Sequence, residues 1–352
     1  MKKNIIIFRL DRLGDFIIMS SILQELKNRY KNSKLTIICS KFNYKIIKSY
    51  EFIDKIIVYD DSFNLIKKIK IFLKINKEKY FISFNDGRPF SIIANIFLKS
   101  KFKLGFLYIY KSFLNINYYK VSSLINFFIL NQKQTLLPRK LLNKKVSLIK
   151  KYLLLFSIFK LNINHKDKYL FFNKSLKVRK KYLSLLKYYN INKFLIIHFD
   201  EKWLDVKNIE NDLIKNLIEF QKIVKVKLIL TSFNNNYNYF KNIKNFFYKN
   251  RFLYKDKIIL LENLNIFLFE KFLNDSLANI SCHSGFVAQV SGANTNNIID
   301  IINLKDFSWY SFWKPLNTFH KFVYKSNMAN KIDIKIIFKK IFFILNKHRI
   351  LR

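Results

Sequence analysis

Asn4-Ile5-Ile6-Ile7-Phe8-Arg9-Leu10 runs directly into Asp11-Arg12-Leu13-Gly14-Asp15. The first seven residues form a short apolar run of the kind a strand shows when both its faces are buried in a parallel sheet. A loop with Gly14 follows, and over 16–30 apolar residues recur at helical spacing, at Ile18, Ile22 and Leu26. A strand passing through a tight Gly turn into a helix is the opening of a βαβ unit. The same four apolar residues are too few for the core of a secretory leader, because Arg9, Asp11, Arg12 and Asp15 follow at once.

The alternation continues outward from this start. Strand-like stretches at 35–39, 56–59 and 80–84 are separated by helical stretches near 42–50 and 63–76, and a further helix is expected near 89–99. From 103 to 140 the pattern blurs. Residues 144–160 regain helical periodicity, and the polar stretch 162–175 reads as a linker. Strands at 194–199, 227–232, 257–261, 277–282 and 297–302 then alternate with helices at 175–189, 208–223, 236–248, 265–274 and after Ser284. At 352 residues the chain exceeds what one core usually supports, so two domains are expected. The division predicted is a first Rossmann-like domain over 1–162, a second over 175–330, and a basic C-terminal helix over 331–352. The two halves are expected to share a cleft. The last helix is expected to pack back on the first domain, through Phe342, Phe343 and Leu345, or to lie at a membrane surface.

Composition narrows the function classes. The net charge is +42, from 65 Lys and Arg against 23 Asp and Glu. Such an excess suits a polyanion or an anionic membrane surface. The lysines, however, are spread along the whole length rather than gathered in an arm. The chain is rich in Lys, Asn, Ile, Phe and Tyr and holds only 5 Gly and 3 Pro, the signature of A/T-rich codons. A nucleic-acid partner is therefore not expected. Cys39 and Cys282 stand far apart with no CxxC spacing, which favours neither a disulfide framework nor a zinc site and fits a cytoplasmic protein. Lys or Asn interrupts each apolar stretch before the roughly 20 residues a spanning helix requires.

Four strand ends carry candidate chemistry. Gly14-Asp15 places a carboxylate at a helix N-terminus, where it could take a proton as a general base; Asp is equally favoured as a helix cap, and the pair alone does not separate the two. After the strand 194–199 come Asp200-Glu201-Lys202-Trp203, where Lys202 could neutralise a diphosphate and Trp203 could stack on a ring or anchor the loop in the core. Ser281-Cys282-His283-Ser284-Gly285 opens another helix, whose free N–H groups suit a phosphate; close packing is the other reason for a Gly there. Asn85-Asp86-Gly87-Arg88 ends the fourth strand, and Arg88 could grip an anionic acceptor, although Asp-Gly also makes an ordinary turn.

Taken in order, these pieces resemble glycosyltransferase family 9, the heptosyltransferase-like enzymes of bacterial lipopolysaccharide synthesis. The opening through Arg12-Leu13-Gly14-Asp15, the phrase Phe84-Asn85-Asp86-Gly87-Arg88 with Lys103-Leu104-Gly105-Phe106, and the Ser281–Gly285 turn carry the resemblance. It implies a GT-B fold, an α/β arrangement of two Rossmann-like domains facing across a cleft. It also implies inverting, metal-independent transfer with no cofactor. Asp15 would be the general base. Lys202, Glu201, His283, Ser284 and Gly285 would hold a nucleotide-sugar donor, an ADP-sugar being favoured. Arg12, Gly14, Asp86 and Arg88 would face a glycolipid or oligosaccharide acceptor, with the inner face of the inner membrane a compatible location. The chain departs from the family at three places. The family's acid in the turn is His283 here, its following His is Ala288, and no acid stands among Asn234, Asn235 and Asn236. Rival readings are a catalytically silent GT-B protein that binds glycans or serves assembly, a nucleic-acid-binding protein, and a sugar-nucleotide epimerase.

Overall fold

The computed structural model describes residues 3–10, 13–111, 117–119, 121–136, 146–162, 175–233, 236–254, 256–294, 296–315, 318–327 and 330–351. The chain divides into two compact units, 1–172 and 173–352. The first unit runs β1 (Ile5–Arg9), α1 (Leu13–Arg29), β2 (Leu35–Ser40), α2 (Lys41–Ile47), β3 (Lys55–Tyr59), α3 (Leu65–Asn76), β4 (Tyr80–Asn85) and α4 (Pro89–Phe97). It continues with β5 (Ser100–Lys111), β6 (Asn117–Tyr119), α5 (Val121–Ile129), β7 (Gln132–Leu136) and α6 (Leu148–Leu155). The unreadable stretch 103–140 is thus a long strand, a short antiparallel partner for its far end, a helix and a further parallel strand. The helix expected over 144–160 is shorter, ending at Leu155 before a 3-10 turn at Ser157–Phe159.

The second unit runs α7 (Leu176–Tyr188), β8 (Phe194–Phe199), α8 (Ile209–Val224), β9 (Lys227–Ser232), α9 (Asn238–Lys249), α10 (Arg251–Tyr254), β10 (Ile258–Glu262) and α11 (Ile266–Asp275). Then follow β11 (Ala278–Ser281), α12 (Gly285–Ala293), β12 (Ile298–Asn303), α13 (Phe307–Phe312), β13 (His320–Ser326) and α14 (Ile334–Lys347). All three tryptophans, Trp203, Trp309 and Trp313, belong to this unit.

Both sheets have the same order. In the first it is β3-β2-β1-β4-β5, with β7 pairing parallel to β5 beyond it; in the second it is β10-β9-β8-β11-β12-β13. Each is the doubly wound 3-2-1-4-5-6 arrangement, which reverses direction between its first and fourth strands. The central strands β1 and β8 are buried along their whole length, as their apolar runs Ile5–Phe8 and Phe194–Ile197 require.

The C-terminal helix α14 is part of the second unit. Its Ile337, Phe338, Ile341 and Leu345 are buried against that unit's core, where Phe338 meets Phe220 of α8 at 4.9 Å. An amphipathic helix must bury one face, and within the second unit α8 and β13 cover this one. Most of the expected linker, 163–174, lies outside the described residues. Among the described residues no helix is long and apolar enough to cross a membrane.

One buried group opposes the fold. Glu270 on α11 is buried and its Oε2 has no hydrogen-bond partner. Burial pushes its carboxyl up to about 9 from an ordinary 4.5, against the weaker pull of Lys271. A carboxyl raised in the fold keeps its proton while the unfolded chain releases it, so stability falls as pH rises from about 4.5 to about 9. Glu270→Gln should therefore raise the second unit's unfolding free energy at pH 7 by about 2–3 kcal/mol in urea denaturation. The gain should disappear near pH 4.

Candidate functional site

Each sheet gathers two of the four sequence motifs at its reversal point. In the first unit, β1 and β4 are hydrogen-bonded neighbours, and their carboxyl ends lead into 10–15 and 86–88. In the second, β8 and β11 are neighbours, leading into 200–203 and 282–285. Ligands of open α/β sheets bind in this crevice beyond the strand ends.

In the first unit the two loops are tied by Asp86. Its Oδ2 accepts the Leu10 N–H at 2.6 Å, and its Oδ1 accepts the Ser91 hydroxyl at 2.6 Å and the Arg88 N–H at 3.2 Å. Asp86, expected to face an acceptor, thus has both oxygens engaged inside the fold and shapes the loop that carries Arg88. Arg88 itself is exposed, one residue before the Pro89 that opens α4. Gly87 takes φ +83°, the left-handed region that favours glycine, and a Cβ there would also come within 3.2 Å of the Tyr108 ring, a tight approach. Asn85 prepares this turn. It exchanges amide hydrogen bonds with buried Asn126 of α5 and accepts the Gly87 N–H at 3.2 Å.

Asp15 lies in the first turn of α1, half-buried, where the helix dipole favours a carboxylate. Its backbone carbonyl accepts a 2.6 Å bond from Nη2 of Arg9, a side chain only 1% exposed that also donates to the Tyr152 hydroxyl at 2.5 Å. The Arg9 guanidinium lies 5.7 Å from the Phe84 ring centre and 5.4 Å from that of Tyr152. Sequence reading passed over Arg9, although an arginine closing a buried apolar strand has to find such partners. Gly14 is buried beside Asp15, and Arg12 lies outside the described residues.

In the second unit Asp200 caps the 3-10 turn Glu201–Asp205 by accepting the Lys202 N–H at 3.1 Å. Burial raises the Asp200 carboxyl to about 6, partly countered by Lys202, whose Nζ is 3.8 Å from Oδ2. The Lys202 ammonium donates to the His283 carbonyl at 2.7 Å and so joins the two strand-end loops. Glu201 is exposed. Trp203 is 0% exposed and its indole N–H donates to the His198 carbonyl at 2.9 Å. Of its two readings, the anchor holds. His198 itself is held near 3 by burial and the Lys202 charge, hence neutral, with Nδ1 3.0 Å from the Thr231 hydroxyl.

The turn 281–285 rests on a buried cluster that sequence reading did not assemble. His283 adopts φ +51° and places Nδ1 2.7 Å from Asp300 Oδ2, while His320 Nε2 lies 2.8 Å from the same oxygen. The Ser281 hydroxyl donates to the other carboxylate oxygen at 3.3 Å and accepts the Ser284 N–H at 3.2 Å. Asp300 is 0% exposed. Burial alone would raise its carboxyl, but the two imidazoles outweigh that and hold it well below the usual range. His283 is lowered, by burial first and against the pull of Asp300, so a neutral imidazole donates its Nδ1 proton to an ionised carboxylate. Its ring centre lies 4.0 Å from that of Tyr310, the two rings tilted by 39°. Beyond the turn, Ser284 caps α12 without a side-chain bond, and a Cβ added at Gly285 would meet nothing within 4 Å. Close packing therefore does not explain Gly285, which leaves room for a ligand to approach the start of α12.

Paired doubly wound units, each with polar loops at its reversal point, define the GT-B class. No family model matches the chain, and no curated protein matches it in sequence. Solved structures do. The glycosyl transferase family 9 protein from Veillonella parvula superposes with a TM-score of 0.71 at 14% identity, over 100% of this chain and 98% of that one. The ADP-heptose lipopolysaccharide heptosyltransferase II of E. coli gives 0.67 at 11% identity, over 100% and 98%. A UDP-GlcNAc 2-epimerase from Methanocaldococcus jannaschii gives 0.56 at 15%, over 99% and 100%. At these identities the likeness is one of fold, and the fold is the one the sequence motifs implied.

Proposed function

We propose that this protein is an inverting glycosyltransferase that moves a sugar from a nucleoside-diphosphate donor to a hydroxyl of a bacterial cell-surface glycan precursor, of lipopolysaccharide or a similar glycolipid. The observation that carries the reading is the position of the four motifs, which stand at the carboxyl ends of the two strands flanking the reversal point in both sheets. The full-length likeness in fold to sugar transferases supports it. In the proposed step the acceptor oxygen attacks the anomeric carbon as its proton passes to the Asp15 carboxylate, and the bond from that carbon to the diphosphate oxygen breaks. The departing diphosphate is stabilised by the Lys202 ammonium, the Ser284 hydroxyl and the N–H of Gly285. His283, whose Nδ1–H donates to the Asp300 carboxylate, keeps Nε2 for the donor. Arg88 faces the acceptor's anionic groups, positioned by Asp86. The steps call for no metal or cofactor, and an ADP-sugar is the favoured donor.

A thermal-shift panel of ADP, UDP, GDP and their sugars tests the donor half. One nucleoside diphosphate should stabilise the second unit, by about 2.7 kcal/mol at a hundred times its dissociation constant. Lys202→Met should weaken that ligand by about tenfold or more, the loss of one charge-assisted contact. Absence of any stabilising nucleotide, or equal affinity in the variant, would sink the assignment of the diphosphate to this turn.

A further inference from the structure

Three helices of the first unit lie on one face of its sheet. The crossover from β3 back to β4, and those from β4 to β5 and β5 to β7, run opposite in direction to the crossovers that carry α1 and α2. With right-handed connections this places α3, α4 and α5 together, across the sheet from α1 and α2. Contacts agree: Phe72 of α3 meets Phe97 of α4 edge-on at 5.5 Å, and α4 packs against α5.

The outer surface of this layer is apolar where a solvent-facing helix should be polar. Of the fifteen exposed large apolar side chains among the described residues of the first unit, twelve lie on these three helices, so the exposure is concentrated rather than scattered. On α3 it forms a stripe at i, i+4 and i+8 through Leu65, Ile69 and Leu73, beside the inward-facing Phe72. On α5 it follows i, i+3, i+4 and i+7 through Val121, Leu124, Ile125 and Phe128, with Val121 76% and Phe128 77% exposed. That spacing belongs to a helix face covered by a partner.

Charge identifies the partner. No Asp or Glu lies on α3, α4 or α5, while α3 carries Lys67, Lys68, Lys70 and Lys74. Two more lysines sit at the C-terminal ends of the other helices: Lys103 donates to the Ile96 carbonyl at 2.9 Å, and Lys133 to the Phe127 carbonyl at 2.8 Å. An apolar face edged with ammonium groups, with no carboxylate on its helices, matches an anionic lipid surface, whose headgroups take the lysines and whose acyl boundary takes the Leu, Ile and Phe side chains. A second copy of this chain offers the wrong complement, since pairing two such faces sets lysine against lysine with no acid between.

We infer that the α3–α4–α5 face is the surface by which this protein docks on an anionic membrane. The inference goes beyond the proposed transfer reaction and does not depend on it.

Vesicle co-sedimentation of the full chain tests it, with vesicles of equal parts phosphatidylglycerol and phosphatidylcholine against phosphatidylcholine alone, at about 0.1 M salt. Partition into the anionic vesicles should be tighter by about tenfold or more. The triple change Lys67→Glu, Lys70→Glu, Lys74→Glu should remove most of that preference. The same charge change on α14 of the second unit, Lys335→Glu, Lys339→Glu, Lys340→Glu, should alter it by less than about twofold. A second variant, Val121→Ser with Phe128→Ser, changes exposed side chains only and should weaken binding about tenfold with the thermal midpoint unchanged. Equal losses from the two lysine triples, no effect of the serine changes, or no binding to anionic vesicles would each overturn the inference. So would a dimer in light scattering that the serine changes abolish, since the face would then be a subunit contact.

Discussion

Asp15→Asn is expected to lower sugar transfer to a lipid-linked oligosaccharide acceptor by about 10²–10⁴-fold while leaving donor affinity within about twofold. Asparagine keeps the size and shape of the side chain, so the turn bonded by Arg9 through the Asp15 backbone carbonyl persists. What it loses is the capacity to take up the acceptor's proton. At about 1.36 kcal/mol per factor of ten, the effect amounts to roughly 3–5 kcal/mol of transition-state stabilisation. Initial rates, with the donor chosen by the thermal-shift panel, check it. A variant that transfers at the normal rate would remove Asp15 from the chemistry. A protein whose donor affinity and glycan binding are untouched, and which never turns over, would be the silent binding protein instead.

The second large effect concerns Asp300. Asp300→Asn should cost the second unit about 3–5 kcal/mol of unfolding free energy, because two buried imidazoles and the Ser281 hydroxyl lose the ionised carboxylate that orders them. The sign of the pH dependence follows from the directions of the shifts. A carboxyl lowered in the fold contributes stability that is fully present above the unfolded value, about 3.9, and is lost as pH falls further. His283, lowered as well, acts in the same sense: below about pH 6.5 the unfolded chain takes up its proton first. Below about pH 4.5, where the opposing slope from Glu270 has levelled off, the wild-type second unit should weaken towards acid, and the variant should lose the part of that slope below about pH 4. Urea denaturation at a series of pH values reads both. A variant as stable as wild type at neutral pH would mean that the cluster is not what holds the 281–285 turn.

The uneven legibility of this chain has physical causes. Strands such as β1 and β8 are buried on both faces, and their continuous apolar runs declare themselves. The motifs next to them were readable for the same reason, because a strand end fixes where a loop must begin. Strand β13, His320-Lys321-Phe322-Val323-Tyr324-Lys325-Ser326, pairs on one side only and mixes charge with apolar residues, so it gave no such signal. With β13 hidden, so was the cluster beneath the 281–285 turn. Ser281 and Asp300 are partners in the register of β11 with β12, and His320 comes from the next strand over, 20 residues further along the chain. Only sheet register brings the three together. Asp300 was the one available hint, a lone acid in Asn297-Ile298-Ile299-Asp300-Ile301-Ile302, where a buried charge has to be paired. Helix α14 shows a different limit. Its periodicity says that one face is buried and cannot say against which element.

The placement of all three tryptophans in the second unit gives the protein a built-in optical label. Indole fluorescence excited at the red edge, where tyrosine does not absorb, follows the second unit alone. Trp203 is fixed by its bond to the His198 carbonyl and stands next in sequence to Lys202, the proposed diphosphate contact. Emission can therefore report unfolding of that half without any attached dye. The first unit, which has tyrosines and no tryptophan, stays dark to the same light.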